Sequence, residues 1–262
     1  MSLQFAAAGT PLIEVEWAAA LAALGCEETA LWAILDQESA GFGFLPDRRP
    51  KILFERACFH HRTGGRFDHI DANISSAGPG GYWGGAAEYV RLERACALDA
   101  TAALESTSWG LGQVMGAHAP RLGYPDAAAM VDAMVASEAG QLGVVQAFIA
   151  AWPALHRALQ ARDWARLAFY YNGPGYRRNH YDTLLARRAA MLAEPGLLPR
   201  FDVRLAQVAL NYLGYMQGGV DGVWGPRTRA RVAAFRLDEG LDAGGPALDP
   251  ETVRLLRARA QL

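Results

Sequence analysis

Lysine is almost absent from this chain: of its 25 basic residues only Lys51 is lysine, and the others are arginine. That bias reads as genome composition rather than chemistry. Net charge is nearly absent too, at -2 over 262 residues with a pI of about 6.3, which removes the basis for a general electrostatic grip on nucleic acid or anionic lipid. Cysteine is scarce. Cys26, Cys58 and Cys96 are odd in number, widely spaced and free of a CxxC pair, so neither a disulfide framework nor a zinc site is indicated, and buried thiols are expected. No uninterrupted apolar run approaches the roughly 18 residues of a membrane-spanning helix. The first segment, "MSLQFAAAGTPLIEVEW", lacks a basic region and carries Glu14 and Glu16, against a secretory signal peptide. Synthesis in a cytoplasm, without membrane insertion, is the expectation. Familiar catalytic signatures are missing as well. Ser106, Ser108 and Gly110 lack the first glycine of a GxSxG elbow, His60 and His61 lack HExxH spacing, and there is no Walker or Rossmann glycine pattern. Metal, nucleotide and serine-nucleophile chemistry are not indicated, and no cofactor is expected.

What is present is an ordinary globular composition, 52% hydrophobic and 20% charged, long enough for one large domain or two smaller ones. Apolar residues recur with a helical period over Leu12 to Leu24, Thr29 to Glu38, Ala86 to Leu104, Ala127 to Trp152, Trp164 to Tyr171 and His180 to Leu192. Between Phe42 and Gly85 the texture changes to glycine, proline and aromatics. There "KILFERACF" predicts a short strand and "SSAGPGGYWGG" a loop, together a small β or irregular lobe. The stretch "AEPGLLPR", Ala193 to Arg200, interrupts the pattern as a linker does. It sets domains at 1–194 and 200–262.

One carboxylate stands out. Leu31, Ile34, Leu35 and Glu38 fall at i, i+3, i+4 and i+7, so Glu38 occupies the apolar face of a helix, at its C-terminal end before Gly41. Partial burial and the negative end of the helix dipole both disfavour the ionised form, so its pKa should rise. A carboxylic acid still protonated near neutral pH suits general-acid cleavage of a glycosidic bond, where the leaving oxygen takes a proton. The alternative is a buried glutamate held for stability by Arg48, Arg49 or Arg56.

Four ordered motifs favour the first choice. Glu38-Ser39, "RPKILFE" at Arg49 to Glu55, "ALESTSWG" at Ala103 to Gly110 followed by Gln113, Met115 and Gly116, and "YNGPGY" at Tyr171 to Tyr176 resemble the phage-type N-acetylmuramidase (endolysin) family. The resemblance covers roughly Ala30 to Ala190. It implies a mainly α, lysozyme-like catalytic domain that hydrolyses the MurNAc–GlcNAc β-1,4 bond of peptidoglycan, with Glu38 as the general acid. It implies sugar contacts for Gln113, Tyr171 and Asn172, the alternatives being a core aromatic for Tyr171 and a turn former for Asn172. Trp109 offers a flat face for a pyranose, or else a core aromatic. A second carboxylate, nucleophile or activator of water, falls to Glu55 or Glu105, and sequence leaves both open as salt-bridge partners instead.

"VRLAQVALNYLGYMQGGVDGVWGPRTRARVAAFRLDEGL", Val203 to Leu241, resembles the peptidoglycan-binding module that accompanies many wall hydrolases. It implies a small three-helix C-terminal domain, with Asp221, Trp224 and Thr228 in its most specific stretch, "DGVWGPRT". Arg236 departs from the glutamine usual there. The expected partner is peptidoglycan, and the expected state a monomer without nucleic acid. Three alternatives stay open: a lytic transglycosylase cleaving the same bond, an antibacterial muramidase effector, and a non-enzymatic wall-binding protein.

Overall fold

The structure is a computed structural model and describes residues 5–245 and 247–262. Helices dominate, as the 3.6-residue periodicity predicts. In chain order the first domain contains α1 (Glu14–Leu24), α2 (Glu28–Ser39), β1 (Ile52–Phe54), α3 (Arg56–Thr63), α4 (Glu88–Glu105), β2 (Thr107–Trp109), β3 (Val114–Met115), α5 (Ala127–Val135), α6 (Glu138–Ala151), α7 (Pro153–Ala161), α8 (Trp164–Asn172) and α9 (Tyr181–Leu192). Helix α2 is the central element: Ala30, Leu31, Trp32, Ala33, Ile34 and Leu35 are all buried, as a helix apolar on every side requires. It packs on α9, which packs on α8, while α1 lies on α6.

Three expectations are corrected. The long helix from Ala127 to Trp152 is two, because Ser137 caps α6 by accepting from the Gly140 amide at 3.1 Å, and serine there ends one helix by starting another. Helix α7 went unpredicted although Pro153 at its first turn is a recognised start. In "KILFERACF" only Ile52–Phe54 is strand, and Glu55 opens α3. The strand pairs antiparallel with β2 (Ile52 with Trp109, Phe54 with Thr107), and β2 with β3 (Ser108 with Met115). The small lobe therefore borrows two strands from beyond Gly85. "SSAGPGGYWGG" is a loop as expected, pinned from below by a buried ion pair within α4: Glu88 accepts from the amides of Trp83 and Gly84, and Arg91, 2.7 Å from Glu88, donates to the carbonyls of Phe54 and Asn73.

The C-terminal domain has the three expected helices, α10 (Phe201–Tyr212), α11 (Pro226–Asp238) and α12 (Pro250–Arg259), around Ala206, Leu210, Val232, Phe235 and Leu256. The segment from Ala193 to Arg200 is irregular, but it does not separate two independent bodies. Phe42 and Phe44 of the first domain share an apolar cluster with Val208 and Val220 of the second. Tyr212 donates to the Gly9 carbonyl at 2.6 Å, Arg48 to the Ala260 carbonyl, and Arg204 pairs with Glu138 at 2.7 Å, both fully buried. Among the described residues no single helix is long and apolar enough to cross a membrane. Cys26, Cys58 and Cys96 are unpaired and half-buried.

Candidate active site

Helix α2 ends at Ser39, and its last carbonyls are closed by Ala40 and Gly41, both with left-handed φ (53° and 73°). Gly41 meets the glycine expectation, and Ala40 carries the strain of a side chain there. The turn leaves Glu38 facing a groove of about 330 Å3 lined by Glu38, Leu45, Lys51, Ile52, Leu53, Gly84, Gly85 and Gln113. The groove thus has α2 on one side, β1 on its floor and the glycines of the "YWGG" loop at its edge. Another cavity of about 220 Å3, at the seam between the domains, is lined by Trp32, Met191, Leu192, Leu197 and Pro199. It is the better enclosed of the two, but Glu38 has no part in it.

Burial pushes the Glu38 carboxyl up from 4.5 to about 7, against the pull of a hydrogen bond from Asn172 Nδ2 to Oε1 at 2.8 Å. Desolvation disfavours the anion and the amide donor favours it; here desolvation wins. A carboxyl poised near 7 can both hold and release a proton at neutral pH. Asn172, at the end of α8, is thereby placed directly on the Glu38 carboxyl.

Gln113 lines the groove with φ of 48°, a left-handed conformation that is uncommon for a non-glycine residue. Its Nε2 donates to the Gly110 carbonyl at 2.8 Å and to that of Lys51 at 3.3 Å. Tyr171 reaches the same turn from the other side, its hydroxyl donating to the Gly112 carbonyl at 2.7 Å and its ring edge-on to Phe148. A Cβ on Gly112 would stand 2.8 Å from that hydroxyl, so glycine lets Tyr171 close on the backbone. Tyr171 is not among the residues lining the groove and instead supports the turn that carries Gln113. Trp109 does not offer the expected face: it is fully buried, near Phe5, with its indole N–H on the Leu104 carbonyl at 3.2 Å.

The two candidate second carboxylates lie elsewhere. Glu105 is paired with Arg62 on the surface. Glu55 accepts from the hydroxyl of Tyr82, within the loop that edges the groove, at 2.8 Å. Glu38 is the only carboxylate among the described residues lining the groove. Sequence reasoning missed Lys51, whose Nζ donates to the Ser39 carbonyl at 2.6 Å and whose proton affinity is lowered by burial. Its solitude among the arginines is the one mark it carries in the sequence. Among the described residues no three His, Cys, Asp or Glu side chains gather as a metal site would need.

In the C-terminal domain, Gln207 organises the "DGVWG" segment. Its Nε2 donates to Asp221 Oδ1 at 2.7 Å and to Thr228 Oγ1 at 3.0 Å, and its Oε1 accepts from the Gly222 amide at 2.8 Å. Thr228 is buried and sits inside α11 rather than capping it, since Gly225 holds the cap position. Its hydroxyl is therefore closed to a wall ligand. Asp221 stays exposed and Trp224 half-buried against the domain core. Arg236, in place of glutamine, donates to Asp249 at 2.8 Å and to the Asp242 carbonyl.

The comparisons agree with this arrangement. The profile of the N-acetylmuramidase family matches residues 27–193, and that of a putative peptidoglycan-binding domain matches residues 200–256. No curated protein matches. Among solved structures, the crystal structure of Burkholderia AP3 phage endolysin is similar, with 40% identity and a TM-score of 0.62 over 68% of this chain and 69% of that one. A lysozyme-like helical domain, followed by a helical peptidoglycan-binding domain, makes this a modular peptidoglycan-hydrolysing enzyme, and the chain belongs to the N-acetylmuramidase family.

Proposed function

We propose that the protein cleaves the β-1,4 bond between N-acetylmuramic acid and N-acetylglucosamine, with Glu38 as the general acid, residues 1–194 as the catalytic unit and residues 200–262 as the wall anchor. The observation that carries this is the half-buried Glu38 carboxyl in an open groove, with a pKa of about 7 and an amide partner that fixes its orientation. The leaving oxygen of the glycosidic bond takes the Glu38 proton as the bond breaks. The side-chain oxygen of Gln113 and the backbone of Gly84 and Gly85 provide polar edges for a sugar ring, and Asp221 and Trp224 give the module an accessible polar and aromatic surface for the wall. Monomeric action on peptidoglycan, as for an endolysin, fits both domains. The test is digestion of purified sacculi with mass spectrometry of the products: new muramic reducing ends support hydrolysis at this bond, and new glucosamine reducing ends place the cut at the other one.

A second reading has its own support. With no other carboxylate lining the groove among the described residues, a lytic transglycosylase, which needs one acid/base and no activated water, suits the site. Anhydromuramic ends in the same digest would establish it.

A further inference from the structure

The side chain that fixes the turn after Glu38 belongs to the other domain. Arg204, on α10, is fully buried. Its Nη1 donates to the Gly41 carbonyl at 2.6 Å and to the Val220 carbonyl at 3.3 Å, and its Nη2 to Glu138 Oε2 at 2.7 Å. The guanidinium carbon lies 4.8 Å from the Trp32 ring centre, so one planar fork touches α2 along its length and again just beyond its end. Glu138 passes the constraint on, accepting from the Gly43 amide at 3.1 Å and the Leu12 amide at 3.0 Å. Gly43 in turn accepts at its carbonyl from the Lys51 amide at 2.8 Å. The Lys51 carbonyl accepts from Gly110 at 2.7 Å and from the Gln113 side chain. The chain of bonds starts in the C-terminal domain and ends on both walls of the groove.

We propose that Arg204 is a positioning residue for the catalytic groove: the wall-binding module supplies the strut that sets the Ala40–Gly43 turn, and with it Glu38, Lys51 and Gln113. The proposal rests on the assignment of Glu38 as the acid. Domain docking by itself does not account for the pair. Phe42, Phe44, Val208 and Val220 already form an apolar contact, and a buried ion pair is commonly no more stabilising than well-packed apolar residues of the same size. What an arginine adds is direction, because its donors are fixed in one plane and reach three acceptors at once. Gly43 shows how little slack the turn has, since a Cβ there would fall 1.7 Å from Gln141 Oε1. A shift at Gly41 therefore reaches the groove instead of being absorbed beside it.

The test uses the full chain and short soluble glycan strands, on which anchoring to a wall contributes nothing. Two variants are compared with the wild type: Arg204→Lys, and the double variant Arg204→Met with Glu138→Gln, which removes the pair without leaving a buried charge alone. The expected result is a kcat about ten- to a hundredfold lower in the double variant, the scale of a misplacement on the order of 1 Å. KM should be unchanged, sacculi should co-sediment as before, and Arg204→Lys should recover part of the rate. A purely structural role lowers the melting temperature but leaves kcat intact in the cold, so wild-type kcat in a folded double variant overturns the proposal. Should that variant not fold, Arg204→Lys decides: a folded enzyme with lowered kcat supports positioning, and wild-type kcat or failure to fold overturns it. Failure of the catalytic assignment looks different, since Glu38→Gln would then keep its activity whatever happens at Arg204.

Discussion

Asn172 Nδ2 lies 2.8 Å from Glu38 Oε1, a bond that ties the end of α8 to the end of α2 across 134 residues of sequence. An amide can hold the carboxyl in place and still let it carry a proton, which a permanent cation would not. Replacing Glu38 by glutamine should therefore abolish wall degradation without unfolding the protein. General-acid catalysis contributes about 10² to 10⁴-fold, so turbidity clearance of permeabilised cells should fall at least that far. Activity above about a tenth of wild type would remove Glu38 from the role.

The raised pKa fixes the sign of the pH dependence. The proposed acid role requires the protonated form of Glu38, so kcat/KM should fall as pH rises through about 7. Asn172→Ala removes the bond that favours the anion, and the alkaline limb should move upward while turnover drops. An unmoved limb would show that another group controls it.

Stability should follow the same group. Because the folded carboxyl holds its proton more tightly than the unfolded one, stability is highest below pH 4.5, declines as pH climbs through about 7, where the folded carboxyl is half ionised, and levels off above that. Glutamine escapes that decline. The melting temperature of Glu38→Gln should match wild type near pH 5 and exceed it at pH 8, by the equivalent of up to about 3 kcal/mol. Parallel melting curves across that range would mean that the site is less desolvated than its geometry indicates.

Glu55 and Glu105 give a separate test. Glu105 is engaged with Arg62 at the surface, and Glu55 holds Tyr82 beside the groove loop. Glu105→Gln should leave the rate unchanged, whereas Glu55→Gln should cost less than about tenfold by loosening the loop, well short of the loss expected for a residue that reacts. A loss of hundredfold or more in either variant would restore a two-carboxylate mechanism.

A chain ending at residue 194 should be unstable. It exposes Phe42 and Phe44 and leaves Glu138 without Arg204, and orphaning one member of a buried pair typically costs about 3 to 5 kcal/mol. Thermal unfolding and activity on soluble glycans should both suffer. A truncated protein with wild-type melting and full cleavage would show that the seam is incidental.

The features legible in the sequence were those that depend on local periodicity or ordered motifs. The spacing of Leu31, Ile34 and Leu35 predicts the helix that becomes α2, and it places Glu38 on that face at the helix end, where the structure finds it lining a groove. The three helices of the module followed in the same way. What stayed hidden depends on long-range partners. Trp109 could be read as a sugar platform or a core aromatic because a tryptophan beside a glycine turn carries no mark of which face will be covered, and here it is fully buried, with Phe5 against its ring and Leu104 on its indole N–H. Nothing local in "DGVWGPRT" marks Thr228 as buried, because its bond to Gln207 exists only after folding. The proline-rich stretch at Ala193 to Arg200 gave a correct break in the helical pattern, but no pattern reports that Arg204 and Glu138, 66 residues apart, meet in the dark between the domains.

That meeting restricts recombination. Swapping the anchor of a wall-degrading enzyme for one with a different target is an obvious route to new specificity, and it presumes that the parts are interchangeable. In this chain a foreign anchor would be grafted onto an uncompensated Glu138, with two phenylalanines seeking Val208 and Val220. A compatible donor must carry arginine and two aliphatic residues at the corresponding places, and a chimaera assembled by cutting at residue 199 without them inherits a fault at the seam.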